Sequence, residues 1–329
     1  MEIRRTEFKI PGKAIISGEF SCVWGFPIIA VPVPLFLNLT VYEYDQKGTV
    51  SFEVGDKQKS VQDFSTSESS VIKDDELEEI VSLFWILADS FGFTACFKDK
   101  SAKVVIKNDI PLRMGLGSSA AVIVGITKVL FLLSGSGREV DSSVFPILKG
   151  IEDRYHQKSS GIDILTVLEN RPLCIKVDNG KIHHLRDSFS LEGMNLLLVS
   201  SKREKCTRES LKIIQKKIEQ GSTAVDLLSP IEKVTLKMIE KIDSKVFDGS
   251  FQLLFKENQK ILADLNLSHP NLDKIVEIFS RFELGAKLTG GGRGGFALSL
   301  VTKEQLDSVK NALTIELKKF EFELTSFEL

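Results

Sequence analysis

A stretch rich in glycine and serine, residues 111–121 (PLRMGLGSSAA), has the composition of a phosphate-binding loop. A strand-like segment precedes it at residues 102–108, and a long apolar run follows it at residues 120–133. Glycines allow the backbone to approach a ligand closely, and the first N–H groups of a helix are unpaired and lie at its positive end. A strand, a glycine-rich turn and a helix start in this order therefore predict an anion site. The stretch does not end in the Gly-Lys-Ser/Thr of a Walker A loop.

Charged residues that suit phosphate chemistry occur in two other segments. Lys13 lies beside a glycine in residues 11–20 (PGKAIISGEF), and Glu152 and Asp163 bound residues 152–163 (EDRYHQKSSGID). A fixed ammonium can neutralise charge on a transferring phosphoryl group, and a carboxylate can accept the proton of an attacking hydroxyl. Taken one at a time, these residues also fit an exposed lysine, a solvated helix residue and a helix cap. That alternative stays open at this point.

A second glycine-rich segment lies near the carboxy terminus, at residues 287–296 (KLTGGGRGGF). Five of the six residues 290–295 are glycine, which indicates a close backbone approach to another group or a tight turn between strands. Arg293 interrupts the glycines. Its guanidinium can either bind a phosphate through two hydrogen bonds or point into solvent.

Residues 11–20, 111–121 and 287–296, in this order along most of the chain, resemble the three motifs of the GHMP kinases, a family of ATP-dependent small-molecule kinases. The resemblance implies ATP and Mg²⁺ as cofactors, Asp163 as the catalytic base, Lys13 as its catalytic partner, and Ser119 and Glu152 as Mg²⁺ ligands. The residues that it implies for binding of the nucleotide phosphates are Pro111, Gly115, Leu116, Gly117, Ser118, Ser119, Ala120, Gly290, Gly291 and Gly292. Those that it implies for the acceptor alcohol are Glu19, Phe20, Ser160, Gly161, Thr207, Thr289 and Arg293.

Within this family, residues 152–163 and the segment at Thr207 are most similar to the mevalonate kinases, which implies mevalonate as the acceptor and a role in isoprenoid precursor synthesis. Phe20 stands where those kinases usually have histidine, and Arg293 stands where they usually have glycine. Because polar groups around a substrate hydroxyl discriminate strongly between substrates, phosphomevalonate or a sugar is the alternative acceptor. Two alternatives come from other functional classes: a diphosphomevalonate decarboxylase of the same fold, whose typical active-site segment differs from residues 160–163, and a catalytically silent nucleotide-binding sensor.

The resemblance also implies an α+β fold of two domains with the active site in the cleft between them. Residues 1–192 are expected to resemble ribosomal protein S5 domain 2, and residues 193–329 are expected to be ferredoxin-like. The pattern of apolar residues predicts hairpins from strands at 35–44 and 49–54 and at 173–177 and 181–185, a polar loop at 58–70, and a helix at 120–133. A helix capped by Asp74 or Asp75 is predicted from the spacing of apolar residues over 77–88. Further helices are predicted at residues 208–220, 230–242, 251–265 and 272–282, and a last one from Thr302 after a strand at 296–301.

The composition is that of an ordinary globular protein. The 329 residues are 43% hydrophobic and 27% charged, and the net charge of −2 gives no electrostatic basis for binding a nucleic acid or an anionic membrane. The apolar residues 26–41 contain three prolines, which excludes a membrane-spanning helix there. Four scattered cysteines without a CxxC pair favour a reducing, cytoplasmic compartment. The expected partner is a small-molecule alcohol, and self-association into a homodimer stays open.

Overall fold

The computed structural model describes residues 2–45, 47–60, 76–97, 100–156, 159–178, 181–186, 189–202 and 207–329. Its first half builds one sheet, in the order β4-β3-β5-β2-β6-β7 with β1 paired to β2. The strands are β1 (Glu2–Ser17), β2 (Ile28–Tyr44), β3 (Val50–Val54), β4 (Lys57–Ser60), β5 (Ala102–Asn108), β6 (Leu173–Asp178) and β7 (Lys181–His184). The helices of this half are α1 (Glu76–Ser90), α2 (Ser118–Ser134), α3 (Phe145–His156) and α4 (Ile162–Glu169).

Helix α2 is the central helix of this half, as its composition predicts. It packs on β1 and β2 and contacts α1, α3 and α4. The run contains several β-branched residues, whose intrinsic preference is for strands. Its length, its glycine-rich start and apolar residues on nearly every face instead favour a helix buried on all sides, and the structure confirms this prediction.

The second half builds a four-stranded antiparallel sheet in the order β11-β8-β10-β9. The strands are β8 (Met194–Ser200), β9 (Lys287–Thr289), β10 (Phe296–Thr302) and β11 (Leu324–Glu328). The helices are α5 (Thr207–Glu219), α6 (Ala224–Asp243), α7 (Gly249–Asp264), α8 (Pro270–Ser280) and α9 (Lys303–Lys318). The elements follow one another in a β-α-β-β-α-β order, in which four helices, α5 to α8, stand between β8 and β9 in place of one. The first sheet ends at His184 and the second begins at Met194, and the boundary at 192/193 stays a prediction.

The hairpin predicted from residues 35–44 and 49–54 is wrong. Both strands form, but β5 lies between them: it pairs antiparallel with β2 and parallel with β3. Ala102, Val104 and Ile106 alternate as buried residues along β5, so one face of this strand lies on the core. The polar turn at 45–48 correctly indicates that the chain reverses direction, but a turn signal does not establish that the two strands are adjacent.

Three further expectations need correction. Residues 57–60 pair with β3 as β4, although 58–70 was predicted as a loop; residues 61–70 lie outside the described residues. Helix α6 begins at Ala224 rather than Pro230, because Thr223 and Asp226 form a capping box and Pro230 is accommodated inside the helix. The last element is a strand, β11, whose short sequence of mixed polarity gives little signal at a sheet edge.

Other local predictions are confirmed. Strands β6 and β7 pair as a hairpin, α1 covers the helix predicted over residues 77–88, and the Thr302–Gln305 capping box begins α9. The predicted caps of α1, Asp74 and Asp75, lie outside the described residues. The apolar segment at residues 26–41 lies largely in β2. Across the described ranges, none of the helices has the length and apolar character needed to cross a bilayer.

Candidate active site

The start of α2 has the geometry of an anion site. Gly117 adopts φ 78° before the helix, and a Cβ at this position would lie 2.7 Å from Cγ of Lys13, so only glycine fits. The first helical hydrogen bond runs from Ala121 N–H to the Gly117 carbonyl (2.9 Å), which leaves the N–H groups of residues 118–120 outside the helix ladder. Ser118 Oγ accepts from Asn108 Nδ2 at the end of β5 (3.0 Å), whereas the Ser119 side chain is exposed.

Lys13 connects this loop to a carboxylate. Its side chain is 1% exposed, and its Nζ lies 3.0 Å from Oδ1 of Asp163 and donates to the Gly115 carbonyl (3.1 Å). Its backbone N–H donates to the Leu116 carbonyl (2.8 Å), which fixes β1 against the loop. Pro111 lies at the half-buried start of the same loop. One ammonium therefore joins β1, the glycine-rich loop and the start of α4.

Asp163 is the second residue of α4 and retains partial exposure (22%). Gly161 precedes the helix with φ 75°, and a Cβ there would lie 2.6 Å from Cζ of Phe145. Ser160 Oγ accepts from Ile162 N–H (3.4 Å), and the Ser160 side chain also lies beside the Cys22 thiol. A carboxylate in the first turn of a helix interacts favourably with the helix dipole. The chain thus fixes Asp163 at a helix start and leaves its carboxylate partly exposed.

Glu152 lies on α3 and is 3% exposed. Its Oε2 accepts from Ser159 Oγ (2.7 Å). Burial and the nearby Asp163 carboxylate raise the pKa of Glu152 to about 7, against the opposing effects of Ser159 and Lys13. Two carboxylates face one ammonium here, so the site has an excess of negative charge that a bound cation would neutralise. Within the described ranges no cluster of three or more His, Cys, Asp or Glu side chains could hold a metal ion.

The carboxy-terminal glycine-rich loop packs on the first loop. Thr289 Oγ1 accepts from Ile15 N–H (2.9 Å) and donates to the Ile15 carbonyl (3.0 Å), so its hydroxyl joins β9 to β1 through two hydrogen bonds. A Cβ on Gly290, where φ is 75°, would lie 3.0 Å from the Gly115 carbonyl oxygen. The Gly291 carbonyl accepts from Ser210 Oγ in the first turn of α5 (2.7 Å). The two glycine-rich loops and α5 therefore meet at one place.

The other residues predicted to bind the acceptor have varied surroundings. Glu19 is fully buried and forms an ion pair with Lys287. Phe20 is 5% exposed and packs into the apolar core of the second half, close to Gly292. Arg293 adopts φ 57°, and its Nε lies 3.5 Å from Oε2 of Glu209. The Thr207 side chain lies outside the described residues.

The structure brings Lys13, Asp163, Glu152 and both glycine-rich loops together, as the motifs predict. Sequence reasoning missed Ser159, which holds Glu152, and Lys287, which holds Glu19. For Lys287 a signal exists: a lysine between Ala286 and Leu288, immediately before a glycine-rich loop, interrupts an otherwise apolar stretch that the structure buries.

Comparisons with known proteins point to one family, with relatives that match about nine-tenths of the chain. Residues 79–170 match the family model for the GHMP kinases N terminal domain, and residues 239–319 match the model for the GHMP kinases C terminal. The mevalonate kinase of Methanocaldococcus jannaschii is 28% identical over 300 residues, covering 90% of this chain and 91% of that protein. The mevalonate kinase of Thermococcus onnurineus is 26% identical over 317 residues, covering 93% and 91%.

Solved structures agree with these relatives. The crystal structure of the Methanococcus jannaschii mevalonate kinase superposes with a TM-score of 0.80 at 25% identity, covering 99% of both chains. The Lactococcus lactis galactokinase complexed with galactose superposes with a TM-score of 0.74 at 18% identity, covering 99% of this chain and 95% of that one, a likeness of fold alone. The two-domain architecture predicted from the motifs is confirmed.

Proposed function

Because this chain belongs to the GHMP kinases and is an ATP-dependent small-molecule kinase, we propose that it transfers the γ-phosphoryl group of ATP to the hydroxyl of mevalonate. The observation that carries the proposal is the placement of the Lys13 ammonium, 3.0 Å from the Asp163 carboxylate and 3.1 Å from the Gly115 carbonyl of the phosphate loop. A buried cation between a carboxylate and a phosphate loop lies where a hydroxyl must meet a phosphoryl group. The mevalonate kinases among the relatives support this choice of acceptor.

Asp163 and Lys13 act on the acceptor hydroxyl in this proposal. Asp163 accepts the hydroxyl proton on its carboxylate as the oxygen attacks the γ-phosphorus, and its partial exposure leaves it accessible from the cleft. Lys13 holds the attacking oxygen and neutralises charge on the transferring group. Since its Nζ is fixed by two oxygens, no side-chain reorganisation is needed at the moment of transfer.

The nucleotide phosphates lie in this proposal against the unpaired N–H groups of residues 118–120 and the second loop at 290–292. GHMP kinases use ATP as the phosphate donor. Ser119 and Glu152 would hold Mg²⁺, which prefers few protein oxygens and takes the rest from phosphates and water. When bound, Mg²⁺ neutralises charge on the β- and γ-phosphates. The exposed Ser119 hydroxyl fits such an ion, and so does the Glu152 carboxyl, because its raised pKa shows that its negative charge is disfavoured without a further cation beside it.

The acceptor lies in this proposal between the turn of residues 18–22, the loop at Ser160 and Gly161, and the start of α5. Its carbon skeleton would be bounded by Glu19 and Phe20 on one side and by Thr289, Thr207 and the loop at residues 290–295 on the other.

A cytoplasmic location is part of the proposal. It is supported by the scattered cysteines, of which Cys22, Cys96 and Cys174 are free.

A second candidate acceptor is phosphomevalonate, and Arg293 is the observation that favours it. The side chain is 36% exposed, and its Nε forms an ion pair with Glu209 (3.5 Å), so the two terminal nitrogens of the guanidinium retain donors for an anion. An acceptor with a second phosphate would use these donors.

The test is ADP release with Mg-ATP against mevalonate, phosphomevalonate, galactose, homoserine and a heptose phosphate. We expect turnover on mevalonate to exceed that on each other alcohol by at least about a hundredfold, because a site built around one hydroxyl rejects analogues strongly. Faster turnover on phosphomevalonate, lost in Arg293→Gly, would replace mevalonate with the second candidate. ATP binding without turnover on any acceptor would favour the sensor instead of the kinase.

A further inference from the structure

A buried ion pair joins the two halves of the chain beside the candidate site. The Glu19 carboxylate and the Lys287 ammonium are in contact, and both side chains are fully buried. Lys287 Nζ also donates to the Leu288 carbonyl (2.6 Å), whereas Glu19 Oε2 has no hydrogen-bond partner among the described residues. Burying two charges costs several kcal/mol per ion, and an apolar replacement of such a pair is often neutral or stabilising. Stability alone therefore does not explain this pair.

The turn that follows β1 connects the pair to the loop of the proposed base. Ser21 N–H donates to the Glu19 carbonyl (2.7 Å), and Cys22 N–H donates to the Gly18 carbonyl (3.3 Å). The Cys22 side chain is 5% exposed and its thiol lies beside the side chain of Ser160, three residues before the proposed base. A continuous set of contacts thus runs from the carboxy-terminal glycine-rich motif to the start of α4.

This turn is strained, so it needs an external anchor. Gly18 adopts φ 99°, and a Cβ there would lie 2.4 Å from the Pro27 carbonyl oxygen. Phe20 adopts φ 63°, a conformation that costs of order 1 kcal/mol or more for a residue with a side chain. Such backbone persists where surrounding contacts fix it, and the residue between these two is Glu19, held by Lys287.

We propose that Lys287 is a positioning residue for phosphoryl transfer: its ion pair with Glu19 fixes the turn of residues 18–22, and this turn fixes the loop that presents Asp163. The inference rests on the proposed function in assigning Asp163 as the base. Lys13 is the other cation that acts on the Glu19 carboxylate. Removal of the Lys287 ammonium leaves a buried carboxylate that must take up a proton or draw in water, and either change moves the turn.

A double-mutant cycle tests this coupling, with Glu19→Met, Lys287→Met and the double variant. The single Lys287 variant should lower kcat/KM for the acceptor at least about tenfold and leave KM for ATP within about threefold, since the disturbed loop touches the acceptor side. The double variant should regain a thermal midpoint near that of the wild type, yet its kcat/KM should remain at the level of Glu19→Met alone. Lys303→Met, which removes an exposed lysine paired with Glu328, is the matched control and should change nothing.

A second readout is independent of the acceptor. Cys22 and Cys174 are both buried, so N-ethylmaleimide should modify both slowly in the wild type, as measured for each cysteine by peptide mass. In Lys287→Met, Cys22 should be modified at least about tenfold faster, because the turn that buries it opens locally. Cys174 should keep its wild-type rate and thereby exclude general unfolding.

Several outcomes would overturn the proposal. A double variant that regains both stability and full kcat/KM would assign the pair to folding, and so would a double variant that does not fold. Losses that multiply in the cycle would show that Lys287 acts independently of Glu19. If the wild-type protein does not phosphorylate mevalonate, only the proposed acceptor is refuted, because Cys22 modification still reports whether Lys287 fixes the turn.

Discussion

Glu152→Gln should stabilise the metal-free protein at alkaline pH while removing its activity. The Glu152 carboxyl has a pKa of about 7, raised from 4.5 mainly by burial and then by the charge of Asp163. This pKa difference corresponds to roughly 3 kcal/mol in favour of the neutral form, since each pKa unit corresponds to about 1.4 kcal/mol. Glutamine keeps the shape and can still accept from Ser159 Oγ, but it never carries the charge.

The direction of the pH effect on stability depends on whether the folded or the unfolded state binds the Glu152 proton more tightly. The folded protein holds it more tightly than the unfolded chain, so this contribution to stability is fully present below about pH 4.5 and is lost as the pH rises through about 7. The glutamine variant lacks this loss. The free energy of unfolding of the variant relative to the wild type should therefore increase by roughly 3 kcal/mol between pH 4.5 and pH 8.

Thermal unfolding in EDTA, without nucleotide, measures this difference. For a chain of this size the variant should gain roughly 5 °C on the wild type between the two pH values. Glu257→Gln, an exposed glutamate of α7, is the matched control and should follow the wild-type pH dependence. Parallel curves for Glu152→Gln and the wild type would refute the reasoning. Phosphoryl transfer should fall at least about a hundredfold in Glu152→Gln, because the proposed Mg²⁺ ligand loses its charge.

Three further substitutions test single features of the site. Asp163→Asn should lower kcat at least about a hundredfold and leave calorimetric ATP affinity nearly unchanged, and a near-normal kcat would refute its role as base. Gly117→Ala should lower kcat/KM at least about tenfold because its Cβ would meet Lys13. Gly135→Ala, at the other end of α2 with open space around it, is the control and should keep the wild-type kcat/KM. Equal kcat/KM in the two variants would contradict the steric argument. Thr289→Val should cost about 1–3 kcal/mol in chemical unfolding because two buried backbone groups of β1 lose their partner, and an unchanged midpoint would contradict that assignment.

The sequence predicts the parts of the site that depend on local requirements. Gly117 and Gly161 each precede a helix with positive φ, and each leaves no room for a Cβ. Such requirements concern a few consecutive residues, so glycine followed by an apolar run is enough to indicate them. The helical prediction for α2 succeeds for a related reason, because its length and its apolar faces outweigh the preference of single β-branched residues.

The partners of these elements are much harder to predict. Alternating burial along β5 indicates a strand, but it does not say that β2 and β3 lie on either side of it. The Lys287–Glu19 pair spans 268 positions. Periodicity reports which face of an element is buried, whereas the identity of the neighbour depends on how the whole chain packs. A buried lysine in an apolar stretch indicates that a partner exists without identifying it.

Strand β1 explains why the catalytic groups and the contacts between the two halves depend on each other. Lys13, Ile15 and Ser17 alternate along it and contact α4, β9 and α6 in turn, through Asp163, Thr289 and Thr235. The same strand pairs with β2 over nearly its full length. Because β1 is bound to both halves, a rigid-body opening between them would break the buried hydrogen bonds of Ile15 and Ser17 to the second half, whereas Lys13 and Asp163, both in the first half, would stay paired. The geometry therefore favours reacting groups that are positioned before the substrates bind over groups assembled by domain closure.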